Sequence, residues 1–221
     1  METLKPFFST HPIYILHSGE VVPSVTQIIG AVIAKPELIK WANQLGLKNK
    51  NVDEEKKATQ DIGKLLHAYI EADLEGAVVD EEGYTQEQIN LAKKSFNQYL
   101  IWKRDKQIKT IKIEYMMISE KYKYGGTLDA LLEINDELTL LDWKTSNSIS
   151  LDYKLQLAAY LYLLQEQNII PNKVGLLRVP KDGSNFEYYE ARADEHIKNY
   201  GEAWIKALDW YRALSKLYQK V

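Results

Sequence analysis

Two stretches, Glu120-Lys-Tyr-Lys-Tyr-Gly-Gly-Thr-Leu-Asp129 and Leu141-Asp142-Trp143-Lys144-Thr145-Ser146, decide how this chain is read. They flank two strand-like runs, residues 128–134 and 138–143, parted by Asn135-Asp136. That order predicts a β-hairpin. A two-residue turn on Asn135-Asp136 pairs Ile134 with Glu137, and counting back along both strands sets Asp129 opposite Asp142. Directly opposed residues on one face lie about 5 Å apart at Cβ. Lys144, two residues beyond Asp142, shares its face because strand side chains alternate. A four-residue loop would set Asp129 opposite Lys144 and keep the cluster. A three-residue loop would change the parity and call for a bulge.

Two carboxylates this close repel unless something neutralises them. Leu131, Leu132, Leu140 and Leu141 surround them with apolar side chains. A divalent cation suits such a pair, and oxygen ligands favour magnesium or manganese over zinc. A bound cation lowers the pKa of a coordinated water and stabilises charge on a phosphate. Lys144 beside it would orient that water or stabilise the transition state. The bland alternative is a pair of strand-end acids with Lys144 as their salt-bridge partner.

Outward from the hairpin, the period changes. Residues 108–118 read as a further strand, and residues 174–179 and 186–190 as two more, joined through the turn-rich Lys181-Asp-Gly-Ser. Residues 53–74, 85–102 and 152–167 and the last 25 or so carry helical spacing. Ile89, Phe96 and Leu100 are expected to face the core, Ser24 to cap a short helix, and Gly76 and Pro171 to end two others. The prediction is an α/β fold: a central mixed β-sheet flanked by helices. It is read as one domain over residues 1–221, mainly helical over 1–105, with the catalytic sheet over 106–190 and a C-terminal helix over 191–221.

With no cysteine, the chain can hold neither disulfides nor thiolate zinc or iron–sulfur centres. The net charge of −3 argues against a uniform nucleic-acid-coating surface but permits a local basic groove. The start, Met1-Glu-Thr-Leu-Lys-Pro, has no basic segment leading into an apolar run, and no stretch reaches membrane-spanning length. An intracellular protein without a membrane partner is expected, in the cytoplasm of a bacterial or phage-infected cell.

Gly126-Thr-Leu-Asp129, Asp142-Trp-Lys144-Thr-Ser and Gln156-Leu-Ala-Ala-Tyr160 together resemble the RecB-like branch of the PD-(D/E)xK nucleases. The likeness is greatest to the mitochondrial genome maintenance exonucleases and related phage exonucleases. Gly63-Lys-Leu-Leu-His67 matches that branch's Gly-x-x-x-His helix, Glu120 its acid ahead of Gly-x-x-Asp, and Pro23-Ser-Val-Thr26 is similar to its opening. The resemblance implies a restriction-endonuclease-like core with helical N- and C-terminal additions. It implies metal binding by His67, Asp129, Asp142 and the Trp143 carbonyl, with Lys144 catalytic and Glu120 supporting a second metal or the attacking water. Gln156 and Tyr160, one turn apart on a helix, would contact DNA or brace the lysine. The cofactor implied is Mg2+ or Mn2+, and without cysteine the iron–sulfur subtype is excluded. The activity implied is an exonuclease acting on single-stranded DNA or single-stranded ends, on its own, as a homo-oligomer, or with a helicase or recombination partner. A structure-specific endonuclease and a non-cleaving DNA-binding subunit are the competing readings.

Gly63 would let the His67 helix approach the sheet closely. Glu71, one turn past His67, either hydrogen-bonds the second ring nitrogen or belongs with Asp73, Glu75, Glu81, Glu82 and Glu87 to a solvated acidic face. Lys121 and Lys123, interleaved with Tyr115, Tyr122 and Tyr124 and preceded by Lys103, Arg104, Lys106, Lys109 and Lys112, have the mix of cations and rings that suits a single strand. They also suit an ordinary solvated face. Thr145 and Ser146 would donate to a phosphate. Trp204, Trp210 and Tyr211 are expected in helix packing.

Overall fold

The computed structural model describes the main chain of residues 3–4 and residues 12–218. Most of the opening hexapeptide lies outside them. The hairpin is formed as counted: β6 (Tyr124–Ile134) and β7 (Glu137–Lys144) are antiparallel, with Ile134 opposite Glu137 and Ala130 opposite Leu141. Asn135 and Asp136 turn the chain with φ of 50° and 65°. Both angles positive is the twist that a two-residue hairpin needs, and Asn and Asp tolerate it.

Three strands complete the sheet. These are β5 (Ile108–Ser119), β8 (Lys173–Arg178) and β9 (Glu187–Arg192), in the order β5-β6-β7-β8-β9. The β7–β8 pair is parallel and the rest antiparallel, so the sheet is mixed. A parallel pair needs a crossover, and α5 (Leu151–Glu166) supplies it. Of the other helices, α1 (Val25–Val32) follows two short paired strands, β2 (Tyr14–Ile15) and β3 (Val21–Val22). Next come α2 (Pro36–Leu47), α3 (Val52–Glu75) and α4 (Gln86–Lys103), and α6 (Ala193–Tyr218) closes the fold. Between α3 and α4, β4 (Val78–Val79) pairs with β1 (Thr3–Leu4). The result is the expected α/β layering, a five-stranded sheet with six helices among the described residues.

The helices start and stop for local reasons. Ser24 caps α1 in a reciprocal capping box with Gln27, and Thr85 does the same for α4 with Gln88. Losing either hydroxyl costs about 1 kcal/mol. Asn51 accepts from the first turn of α3, which ends at Gly76 with φ of 70°.

Each face of the sheet has its own core. Helices α1, α5 and α6 bury Ile28, Leu157, Leu161, Trp204 and Leu208 on one side with Leu128, Leu140 and Val174. Helices α3 and α4 bury Leu66, Ile70, Tyr99 and Trp102 on the other with Leu132, Leu141 and Trp143. Two expectations change here. Leu100 is exposed, and Tyr99 and Trp102 turn inward, so the apolar face of α4 is rotated from the one read in sequence. Trp204 packs as expected, but Trp210 is exposed.

A fork in the sheet positions everything that follows. Pairing of β6 with β7 stops at Ala130–Leu141, and β7 runs on beside β8 alone, with Asp142 opposite Leu176 and Lys144 opposite Arg178. The vacated edge of β6 is taken by the chain before α1, where Ser24 bridges Gly125 and the Gly125 amide donates to the Pro23 carbonyl. Asp129 sits where the two neighbours diverge.

Candidate active site

At the fork, the Trp143 amide donates to Asp129 Oδ2 at 3.0 Å, replacing the ladder bond that the open register lacks. Asp142 is fully buried: Oδ2 lies 2.6 Å from Lys144 Nζ, and Oδ1 has no hydrogen-bond partner. A cation–π contact of 5.3 Å to the Tyr153 ring holds the ammonium from the other side. His67 reaches in from α3, with Nδ1 3.9 Å from Asp129 Oδ1 and its ring edge-on to Trp143 at 5.7 Å. Asp129, Asp142, Lys144 and His67 thus converge, and the Trp143 main chain lies between them.

The acid from β5 is Glu114, which sequence reasoning missed. It stands level with Asp129, between the pairs Ile113–Ala130 and Tyr115–Leu128, and its φ of 43° marks a kink in the strand. Among the described residues, His67, Glu71 and Glu114 bring one ligand atom each within 4.8 Å of one another. Glu71 therefore turns into the site, bonded to Glu114 rather than joining a solvated acidic face. Glu120 is not brought here. Its carboxylate lies 2.6 Å from His17 Nδ1, past the pair Ser119–Tyr124 and five residues along β6 from Asp129. That is about 16 Å at the rise of a strand.

Burial pushes Asp129 up despite Lys144 and the Trp143 amide, which pull the other way. Burial also raises Asp142 to about 7, with Asp129 adding to it and Lys144 opposing. Glu71 rises to about 7 through burial and then Asp129, and Glu114 is pushed further up by burial, Asp129 and Glu71, so the shared proton rests on Glu114. Lys144 stays an ammonium: burial pulls it down, but Asp142 and Asp129 together hold it above its ordinary value. Burial and then Lys144 bring His67 down to about 4, leaving a neutral imidazole with a free lone pair at neutral pH.

These residues fit a divalent cation. A fully buried carboxylate with a partnerless oxygen, neighbouring acids forced towards protonation and a neutral histidine are what a cation would relieve. A stability consequence follows. Raised carboxylates bind more protons folded than unfolded and so remove metal-free stability as pH rises through about 7. The lowered His67 adds stability with rising pH only up to its ordinary value near 6.5, so the net fall lies above about pH 6. The metal-free melting temperature should drop on the order of 5 °C between pH 6 and pH 8, and magnesium added at pH 8 should restore it. Differential scanning fluorimetry in chelator and in magnesium reads both, and a flat metal-free profile would contradict the charge crowding.

Beside Asp129 an open cleft of about 210 Å³ is lined by Tyr14, Ser24, Thr26, Thr127, Gln156 and Tyr160, among others. Gln156 Nε2 donates to the Tyr160 hydroxyl at 2.7 Å, both side chains being buried. Tyr160 lies against Gly126, where a β-carbon would come within 2.7 Å of its ring. Burial, then Asp142 and Asp129, keep this phenol protonated. Thr145 and Ser146 follow Lys144 at the half-buried rim.

The basic and aromatic run does not join the site. Tyr124 is fully buried, its hydroxyl donating to the Ala159 carbonyl and its ring edge-on to Trp204 at 5.0 Å, so it is core rather than a stacking platform. Lys121 and Lys123 sit on the β5–β6 turn near Glu120, Lys123 paired with Glu20 at 2.8 Å and Lys121 over Tyr122 at 4.6 Å. Lys103 pairs with Asp73 and Lys109 with Glu133.

A sequence model of the PD-(D/E)XK nuclease superfamily matches residues 40–216, from α2 to the last turns of α6. The chain belongs to that superfamily. The mixed sheet with its flanking helices is the superfamily's restriction-endonuclease-like α/β fold. A curated relative, the CRISPR-associated exonuclease Cas4 of Francisella tularensis subsp. novicida (strain U112), is 34% identical over 82 residues. That match spans 37% of this PD-(D/E)XK chain and 39% of the relative, and this chain has no cysteine. Similar solved structures include an alkaline exonuclease from Laribacter hongkongensis, at 11% identity and a TM-score of 0.36 over 89% of this chain and 93% of that one. A putative exonuclease from Eubacterium rectale matches at 11% identity and a TM-score of 0.35, over 66% of this chain and 67% of that one. No helix among the described residues is long and apolar enough to cross a membrane.

Proposed function

We propose that this PD-(D/E)XK protein is a magnesium- or manganese-dependent deoxyribonuclease that hydrolyses phosphodiester bonds from single-stranded DNA ends, with residues 1–221 acting as one unit. The observation that carries this reading is Asp142, a sealed carboxylate with an oxygen left free beside Asp129 and Lys144. A purely binding domain has no use for two crowded acids where a phosphate must approach. His67, Asp129, Asp142 and the Trp143 carbonyl would hold the cation, with Glu71 and Glu114 beside them in the supporting role first read onto Glu120. When bound, the cation supplies a water of lowered pKa and charge stabilisation at the phosphate.

The chain's own residues then divide the work. Water attacks phosphorus in line, the bond to the leaving oxygen breaks, and negative charge grows on the phosphoryl oxygens. Lys144, held protonated, meets that charge as a donor and is not the general base. Tyr160, as a neutral phenol fixed by Gln156, donates towards the strand in the cleft, and Thr145 and Ser146 offer hydroxyls to the next phosphate. Hydroxyls and an amide grip a backbone without reading bases, which agrees with digestion independent of sequence.

End-labelled linear and circular single-stranded DNA, each with magnesium and with chelator, tests the proposal. Loss of the linear substrate alone, in magnesium only, is expected. Cutting of both would make the enzyme an endonuclease. Binding without cutting would make it a DNA-binding subunit.

A further inference from the structure

The start of α5 is held in place by a buried carboxylate. Asp152, in its first turn, lies 2.6 Å from Lys35 Nζ and accepts a hydrogen bond from the Ser150 hydroxyl. An acid there also suits the positive end of the helix. Tyr153 is the next residue, partly buried against the core that α5 shares with α1 and α6. Its ring is therefore a fixed wall, and the wall faces the site. Lys144 Nζ stands 5.3 Å from the ring centroid.

Lys144 thus has two holders of different kinds. Asp142 Oδ2 attracts it by charge at 2.6 Å, and the Tyr153 ring attracts it through its π face. Only 18% of the lysine side chain is exposed, so little water competes with either. A divalent cation at Asp142 and Asp129 would change this balance. It draws on the carboxylate that pairs with Lys144, and it repels the ammonium as a like charge. The hold of the ring survives, because a hard cation takes anionic oxygens in preference to a neutral ring.

We propose that Tyr153 is the positioning residue of the catalytic lysine: its ring keeps the Lys144 ammonium in the site when a cation has engaged Asp142. The inference rests on the nuclease reading and deepens it, since it names what holds the lysine once its carboxylate partner is shared. Tyr153 takes part in no bond change and acts only through Lys144.

Two variants separate the ring from the packing. Tyr153→Leu keeps an apolar body against the core but removes the π face, whereas Tyr153→Phe keeps both. With magnesium, the single-turnover cleavage rate on a single-stranded oligonucleotide should fall about tenfold or more in the leucine variant, the scale of a desolvated cation–π contact. Phenylalanine should return it to within about twofold of the unsubstituted protein. Oligonucleotide affinity, read by anisotropy in calcium, and the metal-free melting temperature should barely move in either variant. Independently of turnover, the NMR signal of the Lys144 ε-methylene, assigned by its loss in Lys144→Ala, should carry the upfield shift of a facing ring and keep it when calcium is added. An unchanged rate in Tyr153→Leu, a loss that phenylalanine does not restore, or a melting temperature lowered in step with the rate would overturn the proposal. So would disappearance of the ring shift on adding calcium. If the unsubstituted protein cleaved nothing with magnesium while Lys144 kept that shift, the nuclease reading would fall and not the contact.

Discussion

Lys144→Ala is expected to abolish cleavage while leaving DNA binding and the fold in place. The ammonium lies 2.6 Å from Asp142 Oδ2, is mostly buried, and is held charged by two acids. A cation so placed costs little reorganisation when charge develops on the phosphate, and removing one such donor lowers kcat by a factor on the order of 10²–10³. Here it also leaves Asp142 without its neighbour, so the loss should lie at or beyond the upper end. The chain should still fold, because the packing around β7 comes from Leu140, Leu141 and Trp143. Single-turnover cleavage, with anisotropy and circular dichroism alongside, measures all three. Near-normal cleavage by this variant would remove Lys144 from the centre and the proposed chemistry with it.

Asp142→Asn should be as damaging, for a different reason. The amide keeps the shape of the carboxylate but loses the charge that would anchor a cation at the sealed end of the site. Cleavage should drop at least a thousandfold, and magnesium should no longer raise the melting temperature. A ligand at a hundred times its Kd stabilises by about 2.7 kcal/mol, roughly 5–10 °C for a chain of this size. The absence of that shift in the variant, with its presence in the unsubstituted protein, separates loss of metal from loss of fold. Thermal melts across a magnesium titration decide it, and an undiminished shift would mean the cation is held elsewhere.

The hairpin was legible in sequence because two residues with a tolerance for positive φ stand between two apolar runs, which fixes the register of everything behind them. The Ser24 cap was legible too, since it acts on an amide three residues away, whereas the Asn51 cap of α3 was passed over. Glu114 was not. In Ile-Lys-Ile-Glu-Tyr it has the look of an outward strand acid, and only the kink and the long-range approach of Glu71 turn it into the site. Glu120 misled for the converse reason: closeness in sequence to Gly-x-x-Asp is distance along an extended strand. Tyr124 resembled a stacking ring because it is flanked by lysines, yet it begins β6 and is sealed beneath α5 and α6. The face that α4 buries depended on a rotation set by its neighbours, which no local period records.

The fork also constrains how the protein comes into being. Pro23 and Ser24 leave the ribosome about a hundred residues before Gly125, the strand they must border. Asp142 and Lys144 emerge later still, and their strand gains its outer neighbour only when β8 follows. Synthesis runs from the N-terminus at about 5–20 residues per second, so a truncated or half-made chain holds no assembled centre. The centre proposed above would therefore gain its activity only once β8 has emerged and closed on β7.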